Sequence, residues 1–297
     1  MELKKFAAID IGSNAIRILI ANIIQTENDV VFQKNCLIRS PVRLGEDSFT
    51  LGEISPKSLK RFVKTMKAFK LLMSVHGVSQ YKAYATSALR EANNSSYVIK
   101  TIKKKAGIKV EVIDGIKEAE IISKSKISEF INSPKTFLFV DVGGGSTEFT
   151  FINEGNHVVS KSFKIGTVRL INNLVDDRVW IGIENWIKKN SKKYQKITLM
   201  GSGGNINKLF KLSNIKEGKP LSKIKLSQVF KLLKDLNYEE RVLKFELNPD
   251  RADVIVPAAR IYLKALEWSG SQKIYVPRFG LSDGMIKYMF KNLNNKP

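Results

Sequence analysis

Apolar runs separated by short polar breaks divide the chain into strands and helices, and the breaks carry most of the glycines. Lys5 to Ile9 is an apolar strand ending on Asp10. Ile11-Gly-Ser-Asn14 is a turn, Ile16 to Ile24 a second strand, and Val30 to Ile38 a third. The same plan returns at Phe137 to Val140, which ends on Asp141, turns through Gly143-Gly-Gly-Ser146 and resumes at Phe149-Thr-Phe-Ile152. Leu59, Phe62, Val63, Met66, Phe69, Leu72 and Met73 recur at helical spacing. Ser55-Pro56 starts that helix and Gly77 ends it. The Met and Phe stripe reads as core rather than as a cofactor box.

Further strands are expected at Tyr81 to Thr86, Lys109 to Ile113, Val158 to Ile165, Lys196 to Met200 and Lys273 to Val276. Helices are expected after Ser95, from Lys117 to about Ile131, from Gly166, from Ile206, over Leu226 to Leu236, over Pro249 to Trp268, and from Gly280 to about Leu293. Pro41 to Leu51 reads as irregular. Alternation of strands and helices in both halves makes the class α/β. Asn132-Ser-Pro134 is the boundary candidate, giving domains over 1–130 and 131–297.

Composition narrows the setting. The chain has 297 residues, enough for one or two domains with real cores. Cys36 is the single cysteine, so no internal disulfide forms and a reducing compartment fits. The two histidines, His76 and His157, cannot build a His-rich zinc site. No apolar run approaches a membrane span, and the opening apolar segment is too short for a signal peptide, so the expected location is cytoplasmic. The net charge of +22 would attract a polyanion such as nucleic acid, an acidic membrane face or polyphosphate. Lys, Asn and Ile are all abundant, however, and the lysines are spread along the chain. There is no basic tail and no aromatic-studded basic strip, so a compositional origin is favoured and nucleic acid is not the expected partner.

The chemistry-bearing stretch is Asp141-Val-Gly-Gly-Gly-Ser-Thr-Glu148. Glycines let backbone N–H groups approach a ligand, and successive bare N–H groups make an anion-binding nest. Asp141 and Glu148 at its rims are hard oxygen donors suited to magnesium beside a bound anion. A third glycine turn, Gly201-Ser-Gly-Gly204, precedes a helix whose N-terminus can hold an anion.

The acid-plus-glycine turn at Asp10 and again at Asp141 resembles the duplicated phosphate loop of the actin-like, ribonuclease-H-like ATPase superfamily (ASKHA). That likeness implies two actin-like domains facing across a cleft. The chain also carries Asp10-Ile-Gly-Ser-Asn-Ala-Ile-Arg17, Arg43-Leu-Gly45, Ala85-Thr-Ser-Ala-Leu-Arg90-Glu-Ala and Ile113-Asp-Gly-Ile-Lys-Glu118-Ala-Glu-Ile-Ile122. Beyond the central stretch follow Ile165-Gly-Thr-Val-Arg169-Leu, Gly201-Ser-Gly-Gly204 and Gly280-Leu-Ser-Asp-Gly-Met285. In this order the motifs resemble the exopolyphosphatase / guanosine pentaphosphate phosphatase (Ppx/GppA) family. They span nearly the whole chain, which ends at Pro297 like the short two-domain form.

The resemblance implies magnesium-assisted (Mg2+) removal of a terminal phosphate by water. Glu118 would be the catalytic base that orients and deprotonates the water. Amides of Ser13, Asn14, Gly143, Gly144, Gly145 and Ser146 would cradle the phosphate, with Arg90 as a guanidinium clamp. Asp141 and Glu148, assisted by Asp10, would hold the metal. Arg17, Gly203 and Gly204 are candidate substrate contacts, while Arg169 reads as structural. Family members are often dimers, so a homodimer is the assembly suggested. Two departures stand out: Lys117, where an acid commonly precedes the glutamate, and Ser282, where an arginine or similar residue is expected.

The leading function is exopolyphosphatase, because a long polyanion gains most from distributed cations. The alternative is a guanosine pentaphosphate (pppGpp) 5'-phosphohydrolase. A second alternative is a non-catalytic alarmone or nucleotide-binding sensor, against which the presence of Glu118 argues.

Overall fold

The computed structural model describes residues 1–123, 136–154, 156–277 and 279–294. These divide into two compact units, one within Met1–Lys126 and Gly280–Pro297, the other within Ile127–Phe279.

The first unit opens with strands β1 (Glu2–Ile11), β2 (Ile16–Gln25) and β3 (Val30–Ser40), joined antiparallel. Helices α1 (Leu44–Thr50) and α2 (Pro56–Val75) follow, then β4 (Gln80–Ala85), α3 (Ser87–Glu91), α4 (Ser95–Ala106), β5 (Glu111–Val112) and α5 (Gly115–Ser123). The sheet order is β3-β2-β1-β4-β5, with β4 and β5 parallel to β1. The apolar stripe of α2 behaves as its spacing predicts. Phe62, Met66, Phe69 and Met73 are buried against Ile9, Ile11, Ile18 and Ile20, together with Val98 and Ile102 of α4. Each such side chain contributes roughly 1.5–3 kcal/mol by leaving water. Ser55 caps α2, its hydroxyl accepting from the Ser58 amide, with Pro56 in the first turn. The stretch read as irregular contains α1, seven residues that are too few to show a period. The boundary Asn132-Ser-Pro134 and the end of the helix expected to reach Ile131 lie outside the described residues.

The second unit repeats the topology. Strands β6 (Thr136–Val142), β7 (Thr147–Asn153) and β8 (Asn156–Phe163) form the antiparallel meander, followed by α6 (Thr167–Ile171) and α7 (Asp177–Ser191). Then come β9 (Ile197–Ser202), α8 (Gly204–Leu212), β10 (Leu221–Ser222), α9 (Lys223–Asp235), α10 (Tyr238–Phe245), α11 (Pro249–Ala252), α12 (Ile255–Ser269) and β11 (Lys273–Tyr275). Sheet order is β10-β11-β9-β6-β7-β8, with β9 parallel to β6 and β11 parallel to β9. Read outward from the first strand of each unit, both sheets place second and third strands on one side and two parallel strands on the other, the second sheet adding β10, antiparallel, at its edge. The α/β class and the duplicated actin-like plan are therefore present. The helix expected over Pro249 to Trp268 is two helices, α11 and α12.

The last helix, α13 (Leu281–Asn294), corrects the domain assignment: it belongs to the first unit, not to a domain running through 131–297. It packs on α5 and on the face of β1 and β2 opposite α2. Phe290 meets Phe32 edge to face at 5.5 Å, and Lys34 pairs with Asp283 at 2.7 Å. At Gly284 α13 approaches α5 closely, since a Cβ there would lie 2.2 Å from the Ile121 carbonyl oxygen. Gly284→Ala is expected to cost about 1–3 kcal/mol of stability through overpacking. Gly280→Ala, whose Cβ would meet nothing within 4 Å, should stay within about 0.5 kcal/mol of the parent. Thermal unfolding of the two variants checks this, and equal midpoints would contradict the close approach.

Candidate active site

In each unit the predicted residues gather at the carboxyl ends of the parallel strands, where open α/β sheets hold ligands. The two hairpins have the same register. Asp10 pairs with Arg17 and Ile11 with Ile16, leaving Gly12-Ser-Asn-Ala15 as the loop. Asp141 pairs with Glu148 and Val142 with Thr147, leaving Gly143-Gly-Gly-Ser146. Both loops close alike: the Gly12 amide donates to the Ala15 carbonyl at 3.1 Å, and the Gly143 amide to the Ser146 carbonyl at 3.0 Å.

What aims the remaining amides is the support behind each loop. In the second unit, the Thr167 amide donates to Gly143 O at 3.0 Å, and the Val168 amide to Gly144 O at 2.9 Å. The Arg169 Nε donates to Gly145 O at 2.7 Å. A trans peptide sets each C=O opposite the next N–H. With three carbonyls turned toward α6 and Arg169, the amides of Gly144, Gly145 and Ser146 face the other way and form a nest. Gly143 leaves the expected cradle, because its own amide closes the turn. Arg169 has the structural role expected of it. The first unit is built similarly but less fully. Ser13 O accepts from the Gly45 amide at 2.8 Å and Asn14 O from the Arg43 amide at 3.1 Å, which turns the Asn14 and Ala15 amides away from α1. The Ser13 side chain is buried and shares a 2.8 Å hydrogen bond with the Ser87 hydroxyl, so its hydroxyl anchors the loop to α3.

A glycine makes each support fit. At Gly166 a Cβ would lie 2.3 Å from Gly144 O, and at Gly45 it would lie 2.7 Å from the Ser13 Cβ. The φ of Gly166, −155°, is open to any residue, so the requirement there is space.

The rims of the hairpins differ in charge. Asp10 accepts from Arg17 Nη1 at 2.8 Å, a neutral pair. The corresponding pair in the second unit is two acids. Glu148 is 2% exposed, and its Oε1 accepts from the Ser146 and Ser162 hydroxyls at 2.7 and 2.8 Å. Among the described residues no three His, Cys, Asp or Glu side chains form a metal-holding group. Two carboxylates at the rim of an anion nest still suit magnesium, which is usually held by one or two carboxylates, water and substrate phosphates.

Glu118 lies on α5 and is 8% exposed. Asp114 starts this helix, its carboxylate accepting from the Lys117 amide at 2.7 Å. Lys117 turns to Glu120 at 2.9 Å and lies 4.6 Å over the Tyr288 ring. Its charge is thus engaged by neighbours other than Glu118; the Glu120 bond is the first cause that raises the Lys117 pKa. Arg90 donates to the Ile113 carbonyl at 2.8 Å, tying α3 to the start of the glutamate helix. Ser282 is buried in α13, within the packing of the first unit.

The third glycine turn lies beside Asp141 across the β6–β9 ladder, where Asp141 and Ser202 are partners. Gly203 has φ +100°, and a Cβ on it would be 3.1 Å from Asp141 Oδ1. Gly204 opens α8. The fully buried Tyr262 donates to Ser202 O at 2.7 Å and fixes the turn. Burial, and then the charge of Asp141, hold its phenol well above the ordinary value. Ala15, Gly45, Ser87 and Gly166 lie within the motifs that carry the family resemblance, but their sequence assigns them no role, and Tyr262 and Ser162 lie outside those motifs. Tyr262 shows in sequence only as part of the helical apolar pattern.

Duplicated hairpins that present backbone amides at the carboxyl ends of two mixed sheets define an α/β protein of duplicated, actin-like plan. Residues 23–293 match the Ppx/GppA phosphatase family, and the chain belongs to that family of hydrolases. It is 29% identical over 316 residues to a bifunctional 3-dehydroquinate synthase/phosphatase of Fusobacterium nucleatum, covering 98% of this chain and 47% of that one. Exopolyphosphatase 2 of Mycobacterium tuberculosis is 32% identical over 179 residues, 57% of this chain and 54% of its own. The chain thus spans about half the length of the curated relatives it matches. A crystal structure of an exopolyphosphatase from Cytophaga hutchinsonii superposes with a TM-score of 0.86 at 26% identity, covering 97% of this chain and 98% of that one.

Gly166→Ala is expected to keep its secondary structure by circular dichroism while losing roughly 10²-fold in phosphatase activity, since the nest moves. Gly182→Ala, with only the Phe163 ring at 4.0 Å, should match the parent. Full activity in the Gly166 variant would show that the nest does not bind the reacting phosphate.

Proposed function

We propose that the chain is an exopolyphosphatase that hydrolyses the terminal phosphate of inorganic polyphosphate. The observation that carries this reading is the nest of Gly144, Gly145 and Ser146, whose amides are aimed by the α6 support and Arg169. Its similarity to the exopolyphosphatases of Mycobacterium tuberculosis and Cytophaga hutchinsonii favours polyphosphate. A cytoplasmic location belongs to the same proposal, since the single cysteine suits a reducing compartment.

The nest amides bind the terminal phosphoryl oxygens, and the Arg90 guanidinium, with donors left beyond its bond to Ile113, pairs with phosphate. Glu118 orients a water and accepts its proton as the oxygen attacks phosphorus. The bond to the bridging oxygen breaks, releasing orthophosphate and a chain one unit shorter. Asp141 and Glu148 are the groups that would hold magnesium, which when bound neutralises charge on the phosphate oxygens. Asp10 is already engaged by Arg17, so it is placed as a support of the first loop rather than as a metal ligand.

Phosphate release from long-chain polyphosphate and from guanosine pentaphosphate, measured side by side with magnesium, tests the substrate. Preference for polyphosphate is expected, and preference for the pentaphosphate would transfer the function to alarmone turnover. Glu118→Gln should lower turnover by at least about 10²-fold with substrate binding retained. Surviving activity would remove Glu118 as the base. A parent protein that binds but releases nothing would be a sensor.

A further inference from the structure

Ten exposed Lys and Arg side chains of the first unit lie on two helices that pack together. Helices α2 and α4 pack together on the same side of their sheet, burying Phe62, Met66 and Phe69 from one helix and Val98 and Ile102 from the other. Their outward positions are exposed and carry Lys57, Lys60, Arg61, Lys64, Lys67 and Lys70 on α2, and Lys100, Lys103, Lys104 and Lys105 on α4. Neither helix contains an Asp or Glu. The spacing of Lys57, Lys60, Lys64 and Lys67 alternates three and four residues, which stacks them in one row about 5–6 Å apart at Cβ. The ten helical steps from Lys57 to Lys67 make that row about 15 Å long. None of these four lysines pairs with a carboxylate among the described residues. A helix laced with internal ion pairs would alternate its charges; this one presents a single sign.

We propose that this face, with the Lys57–Lys60–Lys64–Lys67 row as its spine, is a docking surface for a long linear polyanion, the body of an inorganic polyphosphate chain. The identity of the anion rests on the exopolyphosphatase reading. The charge complementarity does not. A straight row of ammonium groups without intervening acids matches a flexible polymer that carries a charge at every unit, and its neutralisation releases counterions. Lysine suits the task, since a mobile point charge can follow a chain that slides. The residues of the row are separate from those proposed to bind and cleave the chain end, so affinity for long chains and turnover of short ones divide between different side chains.

The test uses the full chain and a variant with Lys57, Lys60, Lys64 and Lys67 each changed to Gln. A second variant, with Lys188, Lys189, Lys192 and Lys193 changed to Gln, removes the same charge elsewhere. Binding of labelled long-chain polyphosphate is measured over a range of salt, and phosphate release is measured from long-chain polyphosphate and tripolyphosphate. For the row variant, long-chain affinity should fall at least about tenfold and the slope of log affinity against log salt should shrink by about 3. Tripolyphosphate turnover and thermal midpoint should stay at the parent level. Unchanged long-chain binding in the row variant overturns the proposal. So does an equal loss in both variants, which would assign the effect to bulk charge. Tighter binding of duplex DNA or RNA than of polyphosphate at equal salt would also overturn it. If the parent protein hydrolyses no polyphosphate yet binds long chains through the row, the catalytic reading fails and the docking surface stands. If both variants cleave and bind long chains as the parent does, the reverse holds.

Discussion

Carbonyl groups held from behind are the constraint on which the candidate site depends. A glycine-rich turn left to itself could point its amides anywhere. Here Gly143, Gly144 and Gly145 each surrender a carbonyl oxygen to Thr167, Val168 or Arg169, and peptide planarity then dictates where the following amides point. The support must approach to contact distance, so Gly166 and Gly45 recur behind their respective loops although neither is part of the nest. The ligand-facing geometry is therefore determined by residues that need never touch the ligand.

Duplication explains the architecture, and divergence explains how the chemistry is divided. Both hairpins keep the register, the four-residue loop and the closing hydrogen bond. They differ at one rim position, where Arg17 stands in the first and Glu148 in the second. Arg17 neutralises Asp10 in its own hairpin, whereas Glu148 adds a second carboxylate beside Asp141. Only the second hairpin keeps the oxygen-rich rim that a hard cation favours.

Periodicity revealed what is local. The α2 stripe, the repeated acid-glycine turns and the strands flanking them were legible because burial imposes spacing on neighbouring residues. Seven-residue α1 was not, being too short for a period. The partner of α13 was not legible either: its apolar pattern says that it buries a face but not against which sheet, and simple chain order put it in the wrong domain. At the site, side-chain types marked Asp141 and Glu148 as candidates, and the family resemblance marked Glu118. The removal of Gly143 from the cradle and the addition of Ala15 follow from hydrogen-bond direction, which composition does not encode. The cationic face of α2 and α4 was hidden in the same way. A count along the chain disperses the lysines, whereas folding sorts them from the acids.

The return of α13 to the first unit bears on how the protein is made. During synthesis the segment up to α5 emerges first, with the second unit still to come, and domains fold as they leave the ribosome. That early segment lacks Phe290 for Phe32 and lacks the helix that seats against Ile121. The sheet face under α13, and with it the helix bearing Glu118, stays uncovered until α13 has been added. The second unit can close on itself before that moment, so the order of maturation of the two units runs opposite to their order in the sequence, with the first completed after the second.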